Sequence, residues 1–483
     1  MKLLKLAAIV SSASLIMACG SSSDSDSQSA IEKLLETNAD IAYASYTDSV
    51  ITANELKASL AVFREDPSAE NLKAAKVAWL VSREPYGQTE VYRFRNSPID
   101  STDYESEDGP EGDINAWPLG EALIDYVQTN ASDFGTPQVG VTANSAGVNN
   151  DEEGNGGAVT GEDQSENIIN TTTIDINAAL VANTATADDE HDVIAGYHAI
   201  EFILWGQDLN EGQQPTVGDD RQNAVKAYTL ETHGGQRPLA DFISTEENDA
   251  ADRRHEFMEV VVDKLIADLE QVQLGWKDGV EDNYRDQFTT VSSTADGQQK
   301  LTEILTGMGT LSEGELAGER MQIAFASNSQ EDEHSCFSDN THRDVWLDAE
   351  GVSNSYYGVY AGYNSTPLVD AKDDVTTNAV DGYGLDDYLA EVGLDTLSAE
   401  LAENLATTTT NYTAIDELAR AGQPFDVLIM EANQSEESYV AKTIVSLNEQ
   451  AQTIQDIATE LNLGTVVDED ASECDTQDPT AEC

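Results

Sequence analysis

His198 and Glu201 stand three residues apart in the apolar segment AGYHAIEFILWGQD, which runs from Ala195 to Asp208. Residues three apart on a helix share one face, with Cβ atoms roughly 5–6 Å apart, so an imidazole nitrogen and a carboxylate oxygen could bind one metal ion there. This donor pair suits zinc, iron or manganese. The alternative is a histidine hydrogen-bonded to a glutamate inside a helix bundle. The spacing leaves both open, and His191, two turns earlier, is a candidate outer ligand.

A second group of potential ligands lies in SQEDEHSCFSDNTHRD, residues 329–344. It contains two of the six histidines, His334 and His342, among carboxylates that include Asp339. Neighbouring carboxylates are expected to raise the basicity of these imidazoles. The segment could be a solvated acidic loop, since acidity says little in this chain, but the concentration of His and Cys favours a functional role.

A third group, Arg83, Gln88 and Glu90, follows an apolar segment that contains Trp79. A metal site needs three or four ligands, so the HxxE pair must be completed from another segment. Glu90 is the first choice for that ligand, and the region of the second group is the next. The structural alternative is that Arg83 simply pairs with a neighbouring carboxylate.

Several common chemistries lack their sequence motifs. The chain has no HExxH of the zinc proteases, no GxSxG elbow, no Walker loop and no GxGxxG fingerprint. It also has no CxxC, so zinc ribbons and thioredoxin-like sites have no support. Serine hydrolases, nucleotide hydrolases and dehydrogenases are therefore not indicated.

The segments that must position these residues are mainly helical. Apolar residues recur at three, four or seven from Ile31 to Phe63, and the pattern returns from Glu70 to Tyr92. Further helical patterns cover about residues 249–274, 298–327, 386–408, 411–421 and 435–463. Alternating, strand-like patterns are scarce. The sequence predicts an all-α fold of helical bundles with long loops.

Composition divides the chain into parts. They are a signal segment (1–18), a flexible polar tether (19–30), an N-terminal helical half (31–274), a C-terminal helical half (275–465) and an acidic tail (466–483). A Gly- and Asn-rich stretch at about 130–173 indicates an insertion in the first half. Residues 79–94 and 319–337 both place Arg, Gln and acids at the end of an apolar helix, which could reflect duplication or coincidence.

The beginning of the chain, MKLLKLAAIVSSASLIMACG, has the layout of a secretion signal, with two lysines and an apolar run too short to span a membrane. Its end, Ile16-Met17-Ala18-Cys19, resembles a bacterial lipobox, which implies cleavage before Cys19 and acylation of that cysteine. Each buried methylene contributes roughly 0.8 kcal/mol to anchoring. No Asp follows Cys19, which favours the outer membrane. The alternative is an ordinary signal peptide with a chance cysteine.

The chain is strongly acidic, with 24 Lys and Arg against 91 Asp and Glu and a formal net charge of −67. Such a surface repels nucleic acid and attracts cations, so no nucleic-acid partner is expected. A salt-rich habitat would favour the same balance. In the acidic tail, Cys474 and Cys483 could pair in an oxidising compartment.

Four blocks together resemble the imelysin family, peptidase family M75. They are GYHAIEFILWGQD, REPYGQTEVYRF, NAWPLGEALIDYV and QEDEHSCFSDNTHRD, and the GxHxxE motif of the family falls on Gly196, His198 and Glu201. The resemblance extends over about residues 31–463. It implies an all-α fold of two bundle-like halves, related by duplication, with the motif in a cleft between them.

The resemblance implies two functions. The family is named for a peptidase activity, and it includes iron-regulated envelope proteins. Our leading hypothesis is an exported lipoprotein, anchored to the outer membrane and facing the periplasm or the surface. It would bind iron or another divalent metal such as zinc in iron acquisition, with an iron-uptake receptor or a peroxidase-like protein as a candidate partner.

The alternative is a metallopeptidase in which the metal activates water and Glu201 or Glu90 is the general base. A third class is a docking lipoprotein with a vestigial site. In either metal-dependent function histidine must be neutral to bind the ion, so binding is expected to weaken as the pH falls through about 6.5.

Overall fold

A computed structural model describes residues 21–106, 108–115, 117, 119–127, 167–182, 193–208, 228–245, 250–330, 332–430, 433–467, 474–481 and 483. Cys19, His191 and residues 130–166 of the predicted insertion lie outside these ranges. No helix within them is long and apolar enough to cross a membrane.

The described part of the chain is dominated by helices, with one small antiparallel sheet in which Val359 pairs with Asp381 and Tyr360 with Val380. The prediction of an all-α fold is confirmed. The α-helices and strands are α1 (Ser21–Glu65), α2 (Ala69–Gly87), α3 (Glu111–Ile114), α4 (Glu121–Ile124), α5 (Ala178–Val181), α6 (Gly196–Trp205), α7 (Ala250–Gly275), α8 (Tyr284–Thr289), α9 (Thr294–Thr310), α10 (Ile323–Ser327), α11 (Thr341–Tyr357), β1 (Val359–Tyr360), β2 (Val380–Asp381), α12 (Leu385–Glu391), α13 (Asp395–Arg420), α14 (Phe425–Leu428) and α15 (Tyr439–Glu460).

The first group of helices is built around α1, which packs against α2 and α7, while α6 packs against α7 and α2. The apolar positions that predicted α1, among them Leu34, Ile41 and Phe63, are buried in the core. α6 is buried on every side. Apart from His198 and Glu201, its side chains are apolar or aromatic, as expected for a helix inside a bundle.

α1 begins at Ser21, within the segment 19–30 that composition predicts as a flexible tether. Ala30 is fully buried, and the Gln28 side chain donates hydrogen bonds to Glu32 at 3.2 Å and to the Val291 carbonyl at 3.3 Å.

The second group contains α9, α11, α13 and α15. α13 packs against α15, and α15 packs against α9 and the segment that follows it. That segment, Leu311–Gln322, is a π-helix that joins α9 to α10 without a break. The sequence predicted a helix here but not its π geometry. Gly314 and Gly318 lie within it, and glycine weakens a regular α-helix.

α2 and α11 cross where the two groups of helices meet, and two buried ion pairs join them. Arg83 donates to Asp344 at 2.9 Å, and Arg343 donates to both oxygens of Glu84 at 3.0 and 2.7 Å. The backbones of α2 and α11 approach closely at Gly87, since a Cβ there would lie only 2.7 Å from the Leu347 Cβ. An internal duplication stays a prediction.

The C-terminal tail is closed by a disulfide between Cys474 and Cys483, as the sequence suggested. The loop so formed is held by Gln322, the last residue of the π-helix. Its side-chain amide lies within 3.2 Å of the carbonyl oxygens of Asp475, Asp478 and Ala481, to which it donates.

Candidate metal centre

The glycine of the GxHxxE motif, Gly196, is the first residue of α6, and the backbone conformation there requires glycine. Gly196 has φ +77°, a left-handed conformation that side chains rarely adopt, and a Cβ there would lie 2.3 Å from the Ile114 carbonyl oxygen. Glycine therefore allows α6 to begin against the end of α3. This contact places His198 beside the segment that carries Asn115 and Trp117, and the Trp117 and His198 rings lie 5.1 Å apart.

His198 and Glu201 form a hydrogen-bonded pair in the core. His198 Nδ1 lies 2.9 Å from Glu201 Oε2, and the Ser338 backbone N–H donates to Glu201 Oε1 at 2.9 Å. His198 Nε2 is buried and has no hydrogen-bond partner within the described residues. Glu201 thus fixes the imidazole through one nitrogen and leaves the other without a partner.

His334 lies directly against this pair. Its ring centroid is 4.8 Å from that of His198, and the two planes meet at 82°. His334 Nε2 is 3.2 Å from Arg83 Nη2 and 3.4 Å from Asn115 Nδ2. Arginine can only donate, so we assign Nε2 of His334 as the acceptor and place its ring proton on Nδ1.

Burial controls the charge of these groups. It lowers the pKa of His198 and of His334 well below the usual histidine value, and the positive charges of Arg83 and Arg320 add to that effect. Burial also raises the pKa of Glu201 well above its usual value. These directions favour the neutral forms of both groups: one proton lies between Nδ1 and Oε2, and the second proton of the pair is on His198 Nε2, where a metal ion would displace it.

These directions correct two expectations. Carboxylates were expected to raise the basicity of His334 and His342, but desolvation outweighs them and lowers the pKa of His342 to about 4. The range in which histidine protonation would weaken metal binding therefore moves below 6.5. The segment around His334 is also not a solvated loop, since Asp339 and Asp344 are buried.

Glu90 lies in a short 3₁₀ turn (Glu90–Tyr92) after α2 and is paired with arginines. Glu90 Oε2 accepts from Arg320 at 2.7 Å and from Arg93 at 3.1 Å, and Oε1 accepts from Asn115 at 3.4 Å. Burial alone would raise the pKa of Glu90, but the two guanidinium groups outweigh it and lower the pKa to about 2. Such a carboxylate is a weak base, and its role as a ligand stays a prediction.

A cavity of about 400 Å³ lies beside this region, with His334 in its lining. Its lining residues also include Asn115, Trp117, Arg93 and Arg320. Four further lining residues carry carboxylates: Glu111, Glu315, Glu319 and Asp332. Acidic walls raise the local concentration of cations.

The other predicted site residues have different roles. The Gln88 side chain donates to the Gly362 carbonyl at 3.0 Å and accepts from Asn354 at 2.9 Å, so it joins α2 to α11 and the following loop. Asp339 Oδ2 accepts from the Gly234 N–H at 2.7 Å, and Asp339 adopts a left-handed φ of 59°.

His342 belongs with Asp339 in a neighbouring cluster. His342 Nδ1 lies 3.0 Å from the Asp339 carbonyl oxygen, and Nε2 lies 3.1 Å from the Tyr228 hydroxyl. Of the residues predicted for the cleft, Arg83 and His334 are the ones that the structure brings to His198.

Sequence reasoning missed Arg320 and Arg93, and it did not single out Asn115. The available signal for Asn115 was its block, NAWPLGEALIDYV, which was noted only for its resemblance. For Arg320 the signal was the glycine-rich segment GMGTLSEGELAGER, since glycines within a helix indicate irregular geometry. π-Helical segments occur often at functional sites.

The donor set fits a metal in part. Across the described ranges, no group of three or more His, Cys, Asp or Glu side chains is arranged to hold a metal ion. The chemistry of the nearest donors nevertheless suits one, because two neutral imidazoles pack edge to face and one has a nitrogen without a hydrogen-bond partner among the described residues. Imidazole is a good ligand for zinc and iron.

The family model of imelysin, peptidase family M75, matches residues 42–454. The chain belongs to the imelysin family. His198 lies in the first group of helices, and His334 precedes α11 of the second. That the motif lies in a cleft between two halves stays a prediction.

Relatives of known sequence or structure agree with this assignment. Iron-regulated protein A of Synechococcus elongatus is 30% identical over 107 residues, which are 22% of this chain and 27% of that protein. The chain therefore spans about a quarter of that relative. Two crystal structures share the fold. A protein described as an iron-regulated protein A precursor from Parabacteroides distasonis has a TM-score of 0.54 and 14% identity, over 90% of this chain and 95% of that one. An imelysin-like protein from Psychrobacter arcticum has a TM-score of 0.50 and 11% identity, over 91% and 98%.

Proposed function

We propose that this imelysin-family protein binds a metal ion, iron or another divalent metal, in the cell envelope and takes part in iron acquisition. The observation that supports it best is His198 Nε2, which is buried without a hydrogen-bond partner in the described part of the chain. A buried polar atom left unsatisfied costs about 1–3 kcal/mol, and a metal bond would satisfy it. Metal-binding histidines commonly have their other nitrogen fixed by a carboxylate, as Glu201 fixes Nδ1 here.

We propose His334 as the second ligand, ahead of Glu90. The His334 ring is neutral and lies 4.8 Å from the His198 ring, whereas the Glu90 carboxylate already accepts from Arg320 and Arg93. Glu201 either binds the ion directly or holds His198 in place. Cavity carboxylates and water are the candidates for the remaining positions.

The acidic cavity supports a cationic cargo, and the relatives support iron. Its four carboxylates outnumber its two arginines, so a free cation is favoured over an anionic chelate. The names of the relatives from Synechococcus and Parabacteroides describe them as iron-regulated. An iron-uptake receptor or a peroxidase-like protein remains the proposed partner.

Calorimetric titration with ferrous, ferric and zinc ions tests the site. His198→Ala and His334→Ala are each expected to abolish binding while helix content in circular dichroism persists. His255→Ala is the matched control, because His255 is also buried and its Nδ1 also lacks a partner in the described structure, but its neighbours are Phe63 and Phe242. Binding that survives in both site variants would mean that His198 and Glu201 form a structural hydrogen bond only.

A metallopeptidase that uses the same cleft is the second proposal. The raised pKa of Glu201 favours it, because a proton-transferring group works best with a pKa near the working pH. A peptide-cleavage assay separates the two functions. Turnover that disappears in both His198→Ala and Glu201→Ala supports the peptidase, whereas tight metal binding without turnover supports iron handling.

We propose that the protein is exported and attached to the outer membrane through Cys19. The disulfide of the tail supports an oxidising compartment. Cys19→Ala is expected to move the protein from the membrane fraction to the soluble fraction. Unchanged fractionation of that variant would contradict lipid attachment and leave the metal site untouched.

A further inference from the structure

Arg83 makes an unusual set of contacts for a buried arginine. Its side chain is almost fully buried, and each of its three nitrogens meets a different acceptor. Nε donates to Asp344 Oδ1 at 2.9 Å, Nη1 donates to Asn115 Oδ1 at 2.5 Å, and Nη2 meets His334 Nε2 at 3.2 Å. A carboxylate oxygen, an amide oxygen and an imidazole nitrogen are atoms that metal ions also bind.

Arg343, in the other ion pair of the α2–α11 crossing, shows what a purely structural arginine does here. Its Nε and Nη2 both donate to the single carboxylate of Glu84. This two-bonded pairing is the geometry that arginine and carboxylate prefer. Arg83 gives only one bond to its carboxylate and directs its other nitrogens to neutral acceptors from two further segments.

We propose that Arg83 is a resident cation, which occupies donor atoms of the metal site in the metal-free protein and must be displaced when a metal binds. The inference rests on the proposed metal-binding function, and it assigns Asp344 and Asn115 as donors beside His334. It also makes Arg83 the residue that sets metal affinity, since a positive charge at the site opposes the arrival of a second one.

The surroundings of Arg83 allow such a displacement. The rings of Tyr197, Tyr86 and Trp79 lie 4.8, 5.4 and 5.8 Å from its guanidinium carbon, so aromatic faces can hold the cation once its hydrogen bonds are lost.

The Asp344 carboxylate is also supported independently of Arg83. Its Oδ2 accepts from the Ser335 hydroxyl and from Asn340 Nδ2, the latter at 3.3 Å. The carboxylate therefore stays positioned when the guanidinium leaves, as a ligand of an incoming ion must.

Titration of the full mature chain with zinc and ferrous ions tests the proposal. Arg83→Met removes the charge but keeps most of the side-chain volume, and it is expected to tighten metal binding about tenfold or more, because a competing buried cation is gone. Arg343→Met is the matched control. It removes an equally buried arginine that pairs with Glu84 instead of Asp344, and metal affinity is expected to stay unchanged.

A second variant covers the case in which Arg83→Met does not fold. Arg83→Lys keeps the charge, but an ammonium group cannot reach all three acceptors in the planar geometry of a guanidinium. Metal affinity is therefore expected to increase by a smaller factor, a few fold. Wild-type affinity, or weaker binding, in a folded Arg83 variant would overturn the proposal.

The outcomes separate this inference from the proposed function. Wild-type binding that depends on His198, together with unchanged affinity in Arg83→Met, preserves the function and rejects the resident cation. Binding that appears only in Arg83→Met rejects metal binding by the natural chain and supports the resident cation. Absence of binding in both proteins rejects both.

Discussion

Glu201 and Glu90 are both fully buried carboxylates beside the candidate metal centre, yet the protein shifts their pKa values in opposite directions. Glu201 has no arginine within hydrogen-bonding distance among the described residues, and burial raises its pKa well above the usual value. Glu90 has two arginines on one oxygen, and its pKa falls to about 2. Burial alone therefore does not mark a ligand. The decisive property is whether a protein cation already neutralises the carboxylate.

The comparison assigns different roles to the two carboxylates. Removing the proton from Glu201 creates a negative charge that a metal ion could neutralise, so this side of the centre can respond to a cation. The charge of Glu90 already stabilises Arg320 and Arg93 in the interior. Five predictions test this difference and the geometry that positions the centre.

Glu90→Gln is expected to have the largest effect, a loss of about 3 kcal/mol or more in the free energy of unfolding, because removing one partner of a buried ion pair leaves the other charge uncompensated. Arg320 keeps Asp348 and Arg93 keeps Glu111, which limits the loss. Metal affinity should stay within a factor of about two, since no ligand is removed. Chemical denaturation and calorimetry measure the two quantities. A folded Glu90→Gln protein that binds no metal would identify Glu90 as a ligand after all.

Gly196→Ala is expected to destabilise the protein by at least about 2 kcal/mol, because the residue has a left-handed φ and its new Cβ would meet the Ile114 carbonyl. The same change should weaken metal binding by moving His198 relative to α3. Gly112→Ala is the control, since a Cβ there meets nothing within 4 Å. Equal melting temperatures for the two variants would contradict this account of the motif glycine.

The pH dependence of metal binding is expected to follow Glu201. The pKa of Glu201 is raised in the folded protein, so the protonated form is favoured by folding and the ion must displace a proton. Affinity should therefore increase with pH, by up to about tenfold per unit for one released proton. Glu201→Gln should bind more weakly and lose this slope, because an amide has no proton to release. A slope that persists in Glu201→Gln would assign the proton to another group.

Folding stability should respond to pH with the opposite signs for the two kinds of group. His198 and His334 have lowered pKa values, so their contribution to stability is present above about 6.5 and is lost as the pH falls. The raised pKa of Glu201 gives a contribution that is present at low pH and is lost as the pH rises through its folded value. In thermal melts, Glu201→Gln should no longer lose stability as the pH rises, whereas the loss of stability as the pH falls should remain.

Asp332→Asn is expected to have the smallest effect. Asp332 lines the cavity rather than the centre, so it can influence only how cations are attracted. The association rate for a divalent ion should fall by about twofold or less at low salt, and the difference should disappear at high ionic strength. Glu460→Gln, at the end of α15 and outside the cavity lining, should leave the rate unchanged. A large loss of equilibrium affinity in Asp332→Asn would make this residue a ligand.

The helices could be predicted from the sequence because periodicity is local. The spacing of Leu34, Ile41 and Phe63 predicted α1, and the apolar length of α6 predicted that it would be buried. The features that periodicity did not predict depend on partners that are distant in sequence. Ser21–Ala30 is helical where Gln28 reaches a loop more than 260 residues away in sequence.

The candidate site shows the same limit. The spacing of His198 and Glu201 predicted their contact, since it depends on one turn of helix. The pKa of each group could not be predicted, because it depends on the desolvation caused by surrounding segments. The neutralisation of Glu90 required Arg320, which stands 230 residues later and reaches Glu90 from the π-helix.

The π-helix has a consequence for how this chain tolerates a change of length. A π-helix has more residues per turn than an α-helix, so Leu311–Gln322 contains more residues than an α-helix would need to join α9 to α10. Deleting one residue, which disrupts an ordinary helix, would here allow the segment to relax toward α geometry. We expect the later side chains to turn by about 100° around the axis for each residue removed, which would carry Arg320 away from Glu90. Faster hydrogen exchange at the amides of Glu90–Tyr92 in such a shortened chain would report the lost contact.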